Sequence, residues 1–391
     1  MYEFEINGTP IKMWASCIDI ASWKQVINLS MLPFVFHHLA FMPDIHAGMG
    51  MPIGGVLATN NVIIPNAVGV DIGCGMCAIK TSWKTQDIPM DVLKGKIMSG
   101  IRDRIPLGFD HHKELQDESY LPQGYDVDKL KIVKSQYIAA RHQIGTLGGG
   151  NHFIELQKDN NDNLWVMIHS GSRNLGLKVA EYYNKIAKET NEQNFSVVKP
   201  EMQLAFIWRQ TPLFGAYWDE MKYCVEFALC NRKLMMQRIQ EVLADNLPGI
   251  EFEPMINIAH NYAAIEHHFG HDVFVHRKGA VRAREGEIGI IPGSQGTKSY
   301  IVEGLGNNDS FESSSHGAGR VLSRKAAINE LSMEDEVRKL EERGIVHAIR
   351  NQKDLEEAPG AYKDIDEVMA RQKDLVKIVT ELNPIAVIKG L

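Results

Sequence analysis

Residues 164–173 read Leu164-Trp165-Val166-Met167-Ile168-His169-Ser170-Gly171-Ser172-Arg173, an apolar run that passes directly into polar residues and glycine. Such a run is typical of a short buried strand followed by a loop. Similar short apolar runs occur at residues 62–64, 273–275 and 288–291. Because a sheet fixes where each loop begins, strands of this kind bring polar side chains together. The sequence therefore predicts a site built from loops at the ends of strands.

Helical patterns account for other parts of the chain. Apolar residues recur at helical spacing from Met221 to Val242, which predicts one long packed helix. A weaker repeat predicts a second helix over residues 362–379. The polar segment 104–124 is expected to be an irregular surface excursion. No internal repeat and no linker rich in Pro or Ser divides the chain. We therefore predict a single α+β domain that spans residues 1–391.

The composition is that of a globular protein rather than a membrane or secreted one. Of 391 residues, 44% are hydrophobic, no apolar run is long enough to span a bilayer, and the N-terminus lacks the pattern of a signal peptide. The five cysteines, at positions 17, 74, 77, 224 and 230, form no regular framework, which indicates free thiols or metal ligands. We expect a cytoplasmic protein.

The charge distribution is uneven. The net charge of −7 argues against a general nucleic-acid coat, yet residues 275–325 hold eight Lys or Arg against five Asp or Glu. A local positive excess suits a substrate that carries phosphate.

Several residues have the chemistry of metal ligands. Asp71 and Cys74 lie three apart among glycines in GVDIGCG (69–75), so both can point into one cavity. Cys77 completes a single Cys-x-x-Cys, but no second pair exists for a closed zinc site. His152, His169 and His260 each stand beside an apolar run. Together with Asp71 and Cys74 they could bind a metal, although each alone could be a structural residue. His267, His268 and His271 are expected to be surface residues at a helix end.

Two glycine-rich segments, at 292–299 and 316–320, can present backbone N–H groups to phosphate, although either could be an ordinary turn. The chain has neither a Walker-type loop nor the Lys-x-Asp-Gly motif of ligases that carry their nucleotide on lysine. A covalent nucleotide would need another nucleophile. His316 is the candidate, because a neutral imidazole nitrogen can attack an α-phosphate.

Taken together, the chain resembles the RtcB RNA ligases, most closely the shorter bacterial members. The motifs that carry the resemblance follow one another from near residue 40 to the C-terminus: PDIH (43–46), GVDIGCG (69–75), GTLGGGNHFIE (145–155), HSGSR (169–173), HRKGA (276–280), PGS (292–294), HGAGR (316–320), AYKD (361–364) and VIKG (387–390). The resemblance implies mixed and antiparallel sheets, surrounded by helices, around a central metal and nucleotide cleft.

The resemblance also implies the cofactors and the role of each residue. Two Mn²⁺ ions would share the Cys74 thiolate, with Asp71 and His152 on one ion and His169 and His260 on the other. His316 would accept GMP from GTP, and Asp44 would hold the other nitrogen of its ring. The residues implied to line the nucleotide are Asn151, Phe153, Glu155, Asn261, Pro292, Gly293, Ser294, Gln295, Ser299, Gly317, Ala318, Gly319 and Lys389, the last at the guanine base. The residues implied to contact phosphate or RNA are Arg173, Arg320 and Arg324.

The implied reaction joins an RNA 3′-phosphate or 2′,3′-cyclic phosphate end to a 5′-hydroxyl end. The cyclic end is hydrolysed, GMP moves from His316 to the 3′-phosphate, and the 5′-hydroxyl then displaces GMP. Whether an activating protein takes part is left open. The chain departs from the family at Gln295, where Met is more usual, and at Gly149, where a hydroxyl or small residue is common. Neither is a proposed metal ligand, so these departures concern nucleotide affinity.

Other readings remain at this point. A metal-dependent phosphoesterase acting on RNA ends would need the metal residues but neither His316 nor Lys389. A protein that binds nucleotide or RNA without turnover is the second alternative. The metal is open as well, since a thiolate with histidines suits zinc at least as well as manganese.

Overall fold

The computed structural model describes residues 1–390 and contains seventeen strands and ten α-helices within them. The strands are β1 (Tyr2–Ile6), β2 (Thr9–Met13), β3 (Val35–His46), β4 (Ile53–Thr59), β5 (Val62–Ile63), β6 (Gly75–Lys84), β7 (Phe153–Asp159), β8 (Asn163–Ser170), β9 (Ile207–Trp208), β10 (Ile256–Ala259), β11 (Asn261–His268), β12 (His271–Lys278), β13 (Ala280–Arg282), β14 (Ile288–Ile291), β15 (Ser299–Gly304), β16 (Ser313–Ser315) and β17 (Val376–Lys389). The helices are α1 (Ile20–Ser30), α2 (Pro65–Val68), α3 (Met90–Val92), α4 (Ser99–Arg104), α5 (Lys131–Gln143), α6 (Asn174–Gln193), α7 (Pro212–Asn246), α8 (Arg324–Glu330), α9 (Met333–Glu342) and α10 (Ile365–Arg371).

Two large sheets organise these elements. One has seven strands in the order β10-β6-β8-β7-β17-β15-β14, and every neighbouring pair in it is antiparallel. The other has six strands in the order β1-β2-β3-β4-β12-β11, in which only β2 and β3 run parallel. Two small pairs, β13 with β16 and β5 with β9, complete the strand pairing. The predicted α+β class with mixed and antiparallel sheets is confirmed.

The predicted strands and the long helix are confirmed. The apolar runs at 62–64, 164–168, 273–275 and 288–291 fall in β5, β8, β12 and β14. The helical pattern at 221–242 lies within α7, which begins with a proline at its first position, where the missing N–H is not needed. Its apolar side chains are buried between the seven-stranded sheet and α5 and α6. No helix among the described residues is long and apolar enough to cross a membrane.

The prediction of a helix over 362–379 was largely wrong. Only Ile365–Arg371 is α-helical, and it starts where Asp364 caps the amide of Asp366. From Val376 onward the chain is a long strand that pairs with both β15 and β7. The β-branched residues from 376 to 380 favour a strand, and two partners in the sheet outweigh the weak helical period.

The prediction of a helix end around His267 to His271 was also wrong. These histidines belong to β11 and β12, which form a hairpin whose register pairs His268 with His271. His268 is buried against Glu266 and Phe311, whereas His267 and His271 are exposed. The segment 104–124 is irregular as predicted, apart from the end of α4 and a short 3₁₀ turn at Glu118–Tyr120.

Candidate active site

Four neighbouring strands of the seven-stranded sheet, β10, β6, β8 and β7, have their ends side by side. Cys74 precedes β6, His169 lies near the end of β8, and His260 follows β10. In the register of the sheet, Gly75 is paired with Ser170 on one side and with Ala259 on the other. Phe153, the residue after His152, is paired with His169. Antiparallel pairing thus brings together side chains up to 186 positions apart, and the predicted convergence of loops at strand ends is realised.

The distances within this cluster are those of ligands around metal ions. The Sγ of Cys74 lies 3.5 Å from Nε2 of His152 and 3.2 Å from Nε2 of His169. Nε2 of His152 lies 3.3 Å from Oδ2 of Asp71, and Nε2 of His169 lies 3.4 Å from Nε2 of His260. Two ligands of one ion with ordinary metal–sulfur and metal–nitrogen bonds stand roughly 3.5 Å apart. Cys74, His152 and His169 therefore form one group that could hold a metal ion, with Asp71 beside His152 and His260 beside His169.

The tautomer of His169 also suits a metal ligand. Its Nδ1 lies 3.1 Å from the carbonyl oxygen of Asn151, so the Nδ1–H donates there and Nε2 keeps its lone pair toward Cys74. In His152 and His260 it is Nδ1 that is buried without a partner. All three rings thus direct Nε2 into the cluster.

The electrostatics of the cluster favour uptake of a cation. Burial lowers the pKa of His169 and of His260 well below the usual range, so both rings are neutral and can donate a lone pair. Burial and then Asp71 raise the pKa of the Cys74 thiol well above its usual range. Burial would also raise the pKa of Asp71, but the hydrogen bond and charge of His152 outweigh it and the pKa is lowered. The thiol must therefore lose a proton when it binds a metal.

His316 lies against this cluster. It follows β16, and its ring centroid is 4.8 Å from that of His260. Nδ1 of His316 lies 2.6 Å from Oδ2 of Asp44, a wholly buried carboxylate on β3 that also accepts the His316 amide at 3.1 Å. Because Nδ1–H donates to Asp44, Nε2 carries the free lone pair. Gly279 makes room for the ring, since a Cβ there would stand 3.0 Å from Cε1 of His316.

A cavity of about 910 Å³ opens above His316 and His169. Of the residues predicted to bind nucleotide, those that line it are Asn151, Phe153, Glu155, Pro292, Gly293, Ser294, Gln295, Gly317, Ala318, Gly319 and Lys389. Two predicted residues do not line it. Asn261 donates to the Asp71 carbonyl and accepts from the Gly279 amide, and Ser299 is held by Gly293 and Gln157 behind the wall. Both support the site from outside the cavity.

The family comparison agrees with this geometry. The family described as tRNA-splicing ligase RtcB matches residues 25–390. The chain belongs to the RtcB family. The RNA-splicing ligase RtcB of Escherichia coli K12 is 38% identical over 98% of this chain and 98% of its own length. The tRNA-splicing ligase RtcB of Thermococcus kodakarensis is 33% identical over 94% and 90%, and the RNA-splicing ligase RtcB of Mycobacterium tuberculosis is 31% identical over 94% and 100%.

The far end of the cavity in this RtcB-family chain is a buried ionic group. Nζ of Lys389 lies 3.7 Å from Oε2 of Glu357, and burial lowers the pKa of this lysine. Burial raises the pKa of Glu155, on the neighbouring strand, to about 8. Glu357 also binds Arg320 at 3.1 Å and Arg324 at 3.2 Å. Glu357 was missed by sequence reasoning, because it lies in a charged segment without a motif, at the end of a short 3₁₀ helix over Gln352–Glu357.

The three arginines predicted to bind phosphate differ in their exposure, in their hydrogen-bond partners and in whether they line the cavity. Arg320 and Arg324 both line the cavity, and Arg320 is further tied to Tyr362 and to backbone carbonyls. Arg173 does not line the cavity. It donates to Thr146 Oγ1 at 2.8 Å and to the carbonyl oxygen of Gly108 at 2.8 Å. Among the described residues, Arg324 is the most exposed of the three.

Several of the basic side chains that make up the local positive excess at residues 275–325 are neutralised by ion pairs in the folded chain. Arg277 is buried and holds both carboxylate oxygens of Glu266, Arg282 binds Glu287, and Arg284 binds Glu312. Glu266, His268 and Glu312 could together hold a metal ion. However, Arg277 already supplies the charge that balances Glu266, so the group is explained as a structural ion network.

Residues of RtcB-family motifs to which sequence reasoning gave no individual role also face the cavity. His46 and Lys363 both line it, together with Tyr362. Nζ of Lys363 donates to the carbonyl oxygens of Pro43 and Ile45, on either side of Asp44. Lys363 therefore fixes the strand segment that holds Asp44. In the sequence, the position of Lys363 in the AYKD motif was the feature that could have indicated this role.

Proposed function

We propose that this RtcB-family protein is an RNA ligase that uses GTP and Mn²⁺. It joins RNA ends with a 3′-phosphate or 2′,3′-cyclic phosphate to ends with a 5′-hydroxyl, in RNA repair or tRNA splicing. The observation that carries the proposal is the position of His316, whose Nδ1 is held 2.6 Å from buried Asp44 while its ring lies beside the cysteine–histidine cluster.

His316 is the proposed nucleophile. With Nδ1–H bound to Asp44, Nε2 attacks the α-phosphorus of GTP, a P–N bond forms, and the bond to the pyrophosphate oxygen breaks. Asp44 stabilises the positive charge that develops on the ring as this happens. Asp44 is therefore a positioning residue and His316 the catalytic one.

The proposed ligands fit divalent cations, because they are a half-buried carboxylate, a thiol and three imidazoles whose Nε2 atoms converge. We propose that Asp71, Cys74 and His152 hold one ion and that Cys74, His169 and His260 hold the other. Bound ions would neutralise charge on the phosphates and align the displacement. The choice of Mn²⁺ over Zn²⁺ rests on the family, since the donors alone suit either.

The nucleotide would lie along the cavity from His316 to Lys389. Residues 292–295 and 317–319 line this cavity together with Asn151 and Phe153. The N–H groups of Gly293 and Ser294 already donate to Ser299 and Thr297, so we propose that those of residues 317–319 bind the phosphates. The ammonium of Lys389 can donate to the O6 and N7 acceptors of guanine. The carboxyl group of Glu155 is close enough to interact with the ammonium of Lys389. The two groups together would favour binding of guanine.

The RNA steps follow from this loading. Water opens a cyclic end to a 3′-phosphate, whose oxygen attacks the phosphorus on His316, so that a P–O bond forms and the P–N bond breaks. The 5′-hydroxyl then attacks the RNA phosphorus, loses its proton, and GMP departs. We propose that Arg320 and Arg324, which line the cavity and pair with Glu357, contact the RNA phosphates. The cluster needs a reduced Cys74, as in the cytoplasm, where we propose the protein acts.

The test is a joining assay with defined ends. RNA strands with a 3′-phosphate or a 2′,3′-cyclic phosphate should be joined to a 5′-hydroxyl strand in the presence of GTP and Mn²⁺, and His316→Ala should abolish joining. A phosphoesterase without covalent nucleotide would instead remove or open the terminal phosphate without GTP and without His316. That result would replace the ligase proposal.

A further inference from the structure

The long helix α7 places two consecutive polar side chains, Asn231 and Arg232, inside the protein with no exposed surface. Burying an amide or a guanidinium is unfavourable unless its polar atoms are hydrogen-bonded. None of the four hydrogen bonds of Arg232 goes to a carboxylate, so a direct ion pair does not explain its burial. The partners of the two side chains therefore indicate their role.

The guanidinium of Arg232 joins three segments of the backbone. Nη1 donates to the carbonyl oxygens of Gly73 at 3.1 Å and of Ser170 at 2.8 Å, and Nη2 donates to that of Ile258 at 3.2 Å. Nε donates to Oδ1 of Asn257 at 2.8 Å. Each of the three carbonyl groups stands within two residues of a proposed metal ligand, in turn Cys74, His169 and His260. One planar group thus links the strand ends that carry these ligands.

Asn231 binds the fourth segment that carries a proposed metal ligand. Its Oδ1 accepts from the amides of Gly145 at 2.7 Å and of Thr146 at 3.2 Å, which fixes the orientation of the side-chain amide. Nδ2 donates to the carbonyl oxygens of Thr146 and Gly171, both at 3.2 Å. Residues 145 and 146 begin the glycine-rich segment that leads to His152. The two side chains together therefore hold all four segments that converge on the cysteine–histidine cluster.

We propose that Asn231 and Arg232, here called the α7 pair, are positioning residues that hold the proposed metal ligands at binding distances whether or not an ion is present. Carbonyl oxygens that share one guanidinium can separate only if charge-assisted hydrogen bonds break. A site assembled in advance binds an ion more tightly, because fewer groups must be ordered on binding. The inference rests on the metal site of the proposed ligase and names the residues that set its affinity.

Replacement of Arg232 by lysine tests the α7 pair. Arg232→Lys keeps the charge, but a single ammonium cannot span the same four acceptors. The dissociation constant for Mn²⁺, measured by equilibrium dialysis, should rise about 10- to 100-fold, the order expected when a residue that orients a metal ligand is changed. The number of ions bound at saturation should stay the same, because every proposed ligand remains. Asn231→Ala should raise the dissociation constant as well.

Arg277→Lys is the matched control. Arg277 is buried to the same extent, but it binds Glu266 and the carbonyl oxygen of Phe311, neither of which belongs to the cysteine–histidine cluster. Both lysine variants should lower Tm, whereas only Arg232→Lys should weaken Mn²⁺ binding. An equal loss of affinity in the two variants would reduce the α7 pair to a general contribution to stability and overturn the proposal.

Asn257→Ala tests the same contacts in a protein that keeps both members of the α7 pair. It removes the acceptor of Nε, so the guanidinium of Arg232 is less well oriented, and the dissociation constant for Mn²⁺ should rise. Asn257 is only half-buried, so this variant should fold even if Arg232→Lys does not. Wild-type affinity for Mn²⁺ in either variant, once folded, overturns the proposal.

Failure of the ligase proposal would look different. In that case the wild-type protein would neither load GMP nor join RNA, while dialysis would still compare Arg232→Lys with Arg277→Lys directly. The visible spectrum of protein loaded with Co²⁺ adds a measure of coordination geometry that does not depend on turnover. It should change in Arg232→Lys and remain as in the wild type in Arg277→Lys. Identical spectra and affinities for the two variants would overturn the α7 pair alone, whatever the result of the joining assay.

Discussion

Asp44 is the residue that fixes the orientation of His316, the proposed nucleophile. It is wholly buried on β3, and its Oδ2 accepts both from Nδ1 and from the backbone amide of His316. Asp44→Asn keeps the shape but removes the charge that stabilises the ring during attack. We expect GMP loading to slow by about a hundredfold or more, with the fold retained. The rate of label uptake from GTP labelled at the α-phosphate, with circular dichroism as the control, measures this.

Cys74 and Cys77 offer a matched pair of substitutions. Both are buried, but Cys74 faces the histidine cluster, whereas Cys77 lies in the hydrophobic core near the carbonyl oxygen of Arg232. Altering an outer contact of a metal ligand costs about 10- to 100-fold in affinity, so loss of a shared ligand should cost more. Cys74→Ser should lower bound Mn²⁺, measured by equilibrium dialysis, while Cys77→Ser should retain it. Equal metal content in both variants would contradict the assignment.

Glu155 should make stability depend on pH. Burial raises its pKa from 4.5 to about 8, so between these values the unfolded chain releases a proton that the folded chain keeps. The contribution of Glu155 to the free energy of unfolding should therefore decline as the pH rises from about 4.5 to about 8. Urea midpoints of Glu155→Gln should decline less over that range than those of the wild type. Parallel curves would show that Glu155 is not protonated in the folded protein.

At the scale of elements, the pairing of β6 with β10 sets the distance between Cys74 and His260. Gly75 lies in this pair, and a Cβ on it would collide with the carbonyl oxygen of Ile258. Gly75→Ala should therefore destabilise the protein by about 1–3 kcal/mol and weaken metal binding. Gly215→Ala, on α7 with open space around the Cβ, should be neutral or stabilise by up to about 1 kcal/mol. Thermal unfolding of both variants tests this contrast.

Elements with one dominant local pattern could be predicted from sequence. The apolar runs and the helical period of α7 were sufficient to predict these elements, because the residues that form each pattern are buried in the folded protein. The segment 362–379 was misjudged, since its weak helical period gives way to pairing of β17 with two distant strands. The 267–271 hairpin was missed because its turn, Phe269 and Gly270, is not a common hairpin dipeptide.

The site was partly predictable for a similar reason. Residues in motifs, such as Cys74 and His316, could be named because family resemblance marks them. Glu357 could not, since it belongs to no motif and only the fold brings its short 3₁₀ helix beside Lys389. Asn261 and Ser299 were predicted to line the nucleotide, yet neither lines the cavity. Their side chains are held by local hydrogen bonds, and a sequence does not show such partners.

At the scale of the whole molecule, the proposed metal ligands come from segments between Asp71 and His260. We propose that residues 1–391 form one cooperative domain. Metal binding should then stabilise the entire fold, because an ion that binds only the folded state shifts the unfolding equilibrium. Removing metal with EDTA should lower Tm, and adding Mn²⁺ should restore a single transition. Two separate transitions, with only one sensitive to metal, would contradict the single domain.

The central claim is that His316 carries the nucleotide. The most direct measurement is the intact mass of the protein after incubation with GTP and Mn²⁺, followed by peptide mapping under alkaline conditions, which preserve a phosphoramidate. We predict the added mass of one GMP group, located on the peptide with His316, lost in acid and absent from His316→Ala. An unmodified wild-type mass, or the same added mass in His316→Ala, would contradict the account.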